Sequence, residues 1–406
     1  AVGTSLVTAS NTVPLGGTAL FSPTNRIAEN YVAFDGTNVG KFVIVYKDAI
    51  DVDGKAVMAQ VSGSSISFGT PVIFRTGTNT KLSTESTIVA FDPNDPTKFV
   101  IVYTFGSSIE KGEVIVGTVS GTSISVGTPV QFTNNTIGYE NIAFDPNNAG
   151  KFVISYESGS NGYVIVGTVS GTSVTFGSPQ LFNSGSTDDI DLAFNTAVSG
   201  QFVLAFEDDS NSSYGTAMTG TISGTTITYG SKYVYYSALT GYNKQNRVAY
   251  DPTSGKFVIA NLVTGSKHGA ARVATVTGTA ISFGTDVTWN AATVENPNIS
   301  FLPTNSKFVI AYRDNGNGGF ATAIVGTISG TNLSFSAEYV IGGSCSYTAV
   351  SVDPNGSGKF ITAFRDDSNS QLGTVRLGQI GLPSTVTNLT ADNFIGTSSA
   401  AYVNGN

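Results

Sequence analysis

Residues 150–179 read GKFVISYESGSNGYVIVGTVSGTSVTFGSP. Three apolar runs stand in this stretch, parted by Gly, Ser and Asn. Short runs rich in Val, Ile, Tyr and Phe, bounded by such residues, read as strands. The step from VGTVSG to TSVTF is a tight turn, with Gly in mid-turn to supply the positive φ that a hairpin demands. Nearly the same text returns along the whole chain. Its anchor, Lys or Gln followed by Phe and Val or Ile, recurs at Phe42, Phe99, Phe152, Phe202, Phe257, Phe308 and Phe360. The intervals are 57, 53, 50, 55, 51 and 52 residues. A fourth segment precedes each anchor, as in 142-IAFDP and 89-VAFDP.

Each copy therefore holds four strands, typified by IAFDP, KFVIVY, VIVGTVSG and SISFGTPVIF. No segment keeps a 3.6-residue period. In KFVIVY, Phe42, Ile44 and Tyr46 point one way and Val43 and Val45 the other. Both sets are apolar, so a unit has two faces to hide and stacks on its neighbours. Four antiparallel strands per unit, in seven copies, predict an all-β, seven-bladed β-propeller of four-stranded blades.

The ends refine this. The seventh copy stops near 378-GQIGLPSTV without a SISFGTPVIF strand, and 12-TVPLGGTALF aligns to 65-SISFGTPVIF without a gap. Residues 1–21 are thus expected to form the outer strand of the last blade and to close the ring. A linear solenoid needs polar caps instead. The propeller is expected to span residues 1–383. Residues 384–406, STVTNLTADNFIGTSSAAYVNGN, depart from the repeat and read as a linker and the start of a further β-module.

Composition sets limits on function. The chain has 406 residues, 40% of them hydrophobic, so a large core is available. Charged residues make up 12%, about half the usual share. The net charge of −8, with no basic run, argues against nucleic acid, since phosphate binding needs clustered cations. No stretch reaches the ~18 apolar residues that a membrane span needs, so no membrane insertion is expected. His268 is the only histidine and Cys345 the only cysteine, and they lie in different repeats. A Ser-His-Asp or Cys-His arrangement and a zinc site therefore lack their parts. Asp188 and Asp189 are adjacent, and neighbouring carboxylates on a strand point apart, unlike the opposed pair of a glycosidase. The sole Trp, Trp289, stands outside any Asp-box pattern.

Function is expected in the loops. Those after the second and fourth strands share one face and vary most, and variable loops on a rigid scaffold are where binding resides. Three of them supply the candidate ligand-binding residues: Asp208, Asp209 and Asn211; Arg313, Asp314 and Asn317; Asp366, Asp367 and Asn369. Asp48, Asp51 and Asp53, followed by Gly54, resemble a fragment of a calcium loop without its terminal Glu. Calcium is the one cofactor considered, and hairpin loops rich in Asp and Asn for their own backbone bonding are the alternative. Tyr214 and Tyr242 are loop aromatics that could stack on glycans. The aromatics ending the second strand (Tyr46, Tyr103, Tyr156, Phe206, Tyr312, Phe364) recur in register and read as core.

The pattern KFVIxYxD…GTxxxGTxSGTxISFGxPxxF resembles the repeats of tail-fibre and other virion appendage proteins of marine bacteriophages. The segment 389-LTADNFIGTSSAAYVNGN is similar to the opening of a β-module that follows such repeats. The resemblance implies a non-enzymatic structural protein on the virion surface, outside the cell. Its partners would be other virion proteins and a host surface glycan or receptor. The fifth copy departs from the pattern, with Asn261 in the place of an aromatic. A secreted bacterial adhesin or lectin of similar build, and a carbohydrate-active enzyme, are the alternatives.

Overall fold

The computed structural model describes residues 13–77, 82–106, 109–237, 246–263, 265, 267–303 and 305–381. The segment 384–406, Tyr242 and the first twelve residues lie outside them. Among the described residues the chain is all-β, broken only by two short 3₁₀ turns, Asp209–Asn211 and Asn315–Asn317.

The first unit shows the plan. β1 (Leu15–Phe34) pairs antiparallel with β2 (Lys41–Asp48), and β2 with β3 (Gly54–Ser62). β3 then pairs with both β4 (Ser65–Phe68) and β5 (Val72–Arg75). The expected fourth strand is thus two short strands, here and in the next four units. The break falls at Gly69-Thr70-Pro71. A Cβ on Gly69 would lie 2.0 Å from the Thr122 carbonyl oxygen of the next unit, so only glycine fits that approach. Pro71 has no N–H to give to the ladder.

The expectation of separate four-stranded blades is also corrected elsewhere. Asn332–Val352 runs unbroken from the outer edge of the sixth unit into the first strand of the seventh. There Ser336 stands where the other breaks have glycine. β1 likewise runs from the edge of the seventh unit into the first, so three units share one 11-stranded sheet.

The N-terminal segment pairs with Leu372–Gln379 in the register expected from the alignment. Leu15 faces Gly378 as Phe68 faces Ala59; Ala19 faces Val375 as Val72 faces Ala56; Ser22 faces Gly373 as Arg75 faces Gly54.

Packing follows the alternation of the second strand. Phe42, Val43, Ile44 and Val45 are all fully buried. Phe42, Ile44 and Tyr46 pack with Ile361, Ala363 and Val375 of the last unit. Val43 and Val45 pack with Phe99, Ile101 and Tyr103 of the second. Every other pair of consecutive units shares such a cluster. In four copies the leading Lys or Gln of the anchor is a clasp between units, whereas Lys98 donates to Thr118 of its own unit. Lys151 Nζ donates to the Gly224 carbonyl at 2.9 Å and Gln201 Nε2 to that of Gly278 at 2.9 Å. Lys256 reaches the Gly330 carbonyl at 2.5 Å, and Lys359 of the last unit reaches that of Gly63, in the first, at 3.0 Å. Each first strand touches the first strands of the units before and after it, and β1 touches Asn332–Val352.

Unit five is the exception foreseen from Asn261. Its side chain is fully buried opposite Ala270, and neither amide atom has a hydrogen-bond partner.

Candidate functional site

The antiparallel order puts the turns after the second strands and the links into the next first strands at one end of the sheets. The loop residues singled out from sequence lie there, most of them engaged locally, while Asp314 Oδ1 is buried without a hydrogen-bond partner. Asp208 is buried at the end of Gln201–Asp208 and accepts from Ser210 Oγ at 2.5 Å, Asn183 Nδ2 at 3.2 Å and Lys232 Nζ at 3.2 Å. Asp209 accepts from Ser213 Oγ at 2.5 Å, and Asn211 ends the 3₁₀ turn. Arg313 pairs with Glu295 at 2.9 Å, Asp314 is buried at the end of its strand, and Asn317 closes the second 3₁₀ turn. Asp366 accepts from Ser368 Oγ at 2.5 Å, Asp367 from Arg365 Nε at 2.6 Å, and Asn369 N–H donates to the Asp366 carbonyl at 3.1 Å. These residues order three hairpin turns on units four, six and seven.

At the calcium-like segment the chain provides its own cation. Lys55 Nζ lies 2.6 Å from Asp48 and 3.3 Å from Asp51. Asp53 turns away and accepts from Gly77 N–H at 2.8 Å. Among the described residues no three His, Cys, Asp or Glu side chains are grouped to hold a metal. Cys345 is buried, and burial pushes its thiol up to about 12, which leaves it protonated.

Between neighbouring units the same end of the sheets opens into grooves. One, of about 660 Å³, lies between units two and three. Its floor is Tyr156, packed edge-on against Phe132 at 5.4 Å and stacked with Tyr163 at 5.8 Å and 24°. Asn134, Asn135, Ser158 and Asn161 surround it, and Pro179 forms one wall. Tyr156 is buried, which raises its hydroxyl well above the usual range; Tyr163 is only half-buried. The equivalent groove between the last and first units, about 300 Å³, has Tyr46, Lys55 and Pro71 in the places of Tyr156, Tyr163 and Pro179. The walls repeat while the lining side chains change. The register aromatics are core on one side, as expected, and groove floor on the other. Tyr214 starts a strand rather than tipping a loop.

At the centre, the first strands of all units surround a cavity of about 160 Å³. Sequence reasoning missed it because its residues lie far apart in the chain. Asp191 joins three units there: it accepts from Asn141 Nδ2, from Leu192 N–H at 2.8 Å and from Val248 N–H at 2.7 Å. Burial pushes its carboxyl up to about 6, against the opposing pull of Arg247 and the two N–H groups. The unfolded value is ~3.9. Between the two values the folded chain holds a proton that the unfolded chain has lost, so stability falls as pH rises through this window. This group should cost about 1 kcal/mol of stability between pH 5 and pH 7. Urea unfolding of Asp191→Asn at both pH values is expected to show a difference smaller by that amount; an unchanged difference would contradict the assignment.

A local signal for the cavity exists. Tyr139, Asp189, Asn296 and Tyr347 all take positive φ, between 49° and 55°. Each sits five residues before the residue that faces the anchor Phe of the second strand, where the register between the two strands slips. These are β-bulges, which re-aim side chains, and here they fall on the cavity wall.

No family model and no curated protein matches this sequence. Among solved structures the chain is similar to the BP39L lectin from Burkholderia pseudomallei, with a TM-score of 0.64 and 10% identity over 88% of this chain and 99% of that one. It is similar to Sqt1 from Chaetomium thermophilum, with a TM-score of 0.53 and 12% identity over 89% and 100% of the two chains. It is also similar to AofleA from Arthrobotrys oligospora, with a TM-score of 0.51 and 9% identity over 81% and 90%. At these identities the likeness is one of fold.

Proposed function

We propose that this chain is a closed, seven-bladed β-propeller that binds carbohydrate, without catalysis, in the grooves between blades on its loop face. Closure is supported by the cluster and the Lys359 clasp that join the last unit to the first, and by the pairing of residues 15–22 with 373–378. Carbohydrate binding is supported by the groove between units two and three. A half-buried tyrosine face ringed by asparagine and serine offers a sugar both an apolar platform and hydrogen bonds. That a lectin is among the proteins of like fold agrees with this. The single histidine and single cysteine of the sequence, the latter with its thiol raised by burial, support a binding role over an enzymatic one. The repeat's resemblance to phage appendage repeats favours the virion surface as its setting, with virion proteins and a host glycan as partners.

A glycan array probed with the purified chain tests the reading. Binding of at least one glycan class is expected, and the eluted glycan should be intact. Tyr163→Ala should weaken it about tenfold, the ~1–3 kcal/mol range of a lost aromatic contact, in a variant that still unfolds in one cooperative transition, since the side chain packs only partly against the neighbouring cluster. An array without hits, or cleaved glycan, would contradict it.

A further inference from the structure

The grooves do not account for the central cavity, and its chemistry is different. Glu29, Glu140 and Asp189 line it, and among the described residues Arg247 is the one cation on its wall. Negative charge therefore dominates, which disfavours an anionic ligand. The carboxylates are spread around the mouth, and among the described residues no three converge for a metal. Asn30 adds an independent sign. Only 6% exposed, it lines the cavity, donates Nδ2 to the Tyr347 carbonyl at 2.8 Å, and leaves Oδ1 with no donor. A buried acceptor without a donor is costly unless something supplies one. Three tyrosines complete the wall: Tyr139, 46% exposed, at the rim, Tyr347, with the Arg365 guanidinium 5.0 Å from its ring, and Tyr31, whose hydroxyl accepts from Asn298 Nδ2 at 3.5 Å. Aromatic faces and carboxylates together favour a compact organic cation.

We infer that the central cavity on the loop face is a binding site for a primary ammonium group, with Asn30 Oδ1 as its acceptor and the surrounding carboxylates, Asp189 among them, as its countercharge. The ammonium carries three donors and no acceptor, matching a wall that offers acceptors. About 160 Å³ holds such a head group and the first carbons behind it, not a whole oligosaccharide. The group could arrive on a free amino sugar or on a lysine side chain of a partner protein; the chemistry at the wall is the same.

Calorimetry at physiological salt with matched pairs tests this and separates the sources. Glucosamine is set against N-acetylglucosamine, and Nα-acetyl-lysine methylamide against its Nε-acetylated form. Binding of at least one charged member and no heat from its neutral partner is expected. Preference between the two charged probes identifies the source. Asn30→Ala and, separately, Asp189→Asn should each weaken that binding about tenfold or more, and two independent variants guard against one that folds poorly. Equal heats from charged and neutral members, no heat from either charged probe, or affinity untouched in both folded variants would overturn the inference.

Discussion

Removing residues 1–21 is expected to lower the melting temperature by more than 10 °C and to expose apolar surface. The segment is 21 residues of 406, so by length alone a small effect would be anticipated. Its position argues otherwise. Phe21 is buried in the cluster shared by the last and first units, and Val13 in the one shared by the sixth and seventh. Burial of a large apolar side chain contributes ~1.5–3 kcal/mol. Leu15, Ala19 and Leu20 lie along the pairing with Gly378, Val375 and Thr374, so their loss uncovers a sheet edge as well. The sum is on the order of 5 kcal/mol, a large part of the ~5–15 kcal/mol that holds a typical domain folded. Opening the ring also leaves the cluster around Phe42 and Ala363 without one of its walls. Differential scanning calorimetry of the truncated chain, with a hydrophobic dye as second readout, measures this. A melt within 2 °C of the full chain would show that closure contributes little.

The second large effect is expected where strand two meets strand three. Phe152 is fully buried, and its ring lies over Gly167, where an added Cβ would sit 2.3 Å from the ring's Cζ. Phe152→Ala should cost ~3–5 kcal/mol, as buried Phe→Ala changes do. Gly167→Ala should cost ~1–3 kcal/mol by overpacking. The two positions share one space, so the double variant should be less destabilised than the sum of the singles. Urea unfolding of the three variants checks this. Strict additivity would mean that ring and glycine are not coupled. The same pairing recurs at Phe99 with Gly117, Phe202 with Gly220, Phe308 with Gly326 and Phe360 with Gly378, so the repeated glycine in GTxSG text reflects a ring overhead.

Such close approaches explain why the fold was legible in the sequence. The period, the tight turns, the two apolar faces of KFVIVY and the register of residues 12–21 on the last unit are each local patterns or alignments of one repeat on another. Tertiary events within a repeat were not legible. The fourth strand breaks at Gly69 because the carbonyl of Thr122, in another unit, comes close there. The copy with Ser336 at that place runs on, and so does the N-terminal copy, where Gly16 packs on Leu377 rather than on a backbone carbonyl. The candidate site was legible only in part. The loop face followed from strand alternation, but Asp208, Asp314 and Asp366 proved to close their own hairpins. The central cavity draws residues from every repeat. Glu29, Asp189 and Arg247 have no shared motif, and the bulges that turn Tyr139, Asp189, Asn296 and Tyr347 inward occur in only some of the first strands.

The claim beneath all of this is that the first residues of the chain complete its last sheet. A cysteine pair reads this directly. Thr18 and Arg376 face each other across the two strands, with Arg376 Nη1 2.5 Å from Thr18 Oγ1, and the native Cys345 is buried away from them. Oxidation of the Thr18→Cys, Arg376→Cys variant, followed by digestion and mass spectrometry, should give one peptide pair cross-linked within a single chain, on a protein that stays monomeric in a non-reducing gel. Cross-links found only between chains, or both cysteines remaining freely alkylated in the folded protein, would contradict closure by the N-terminal strand.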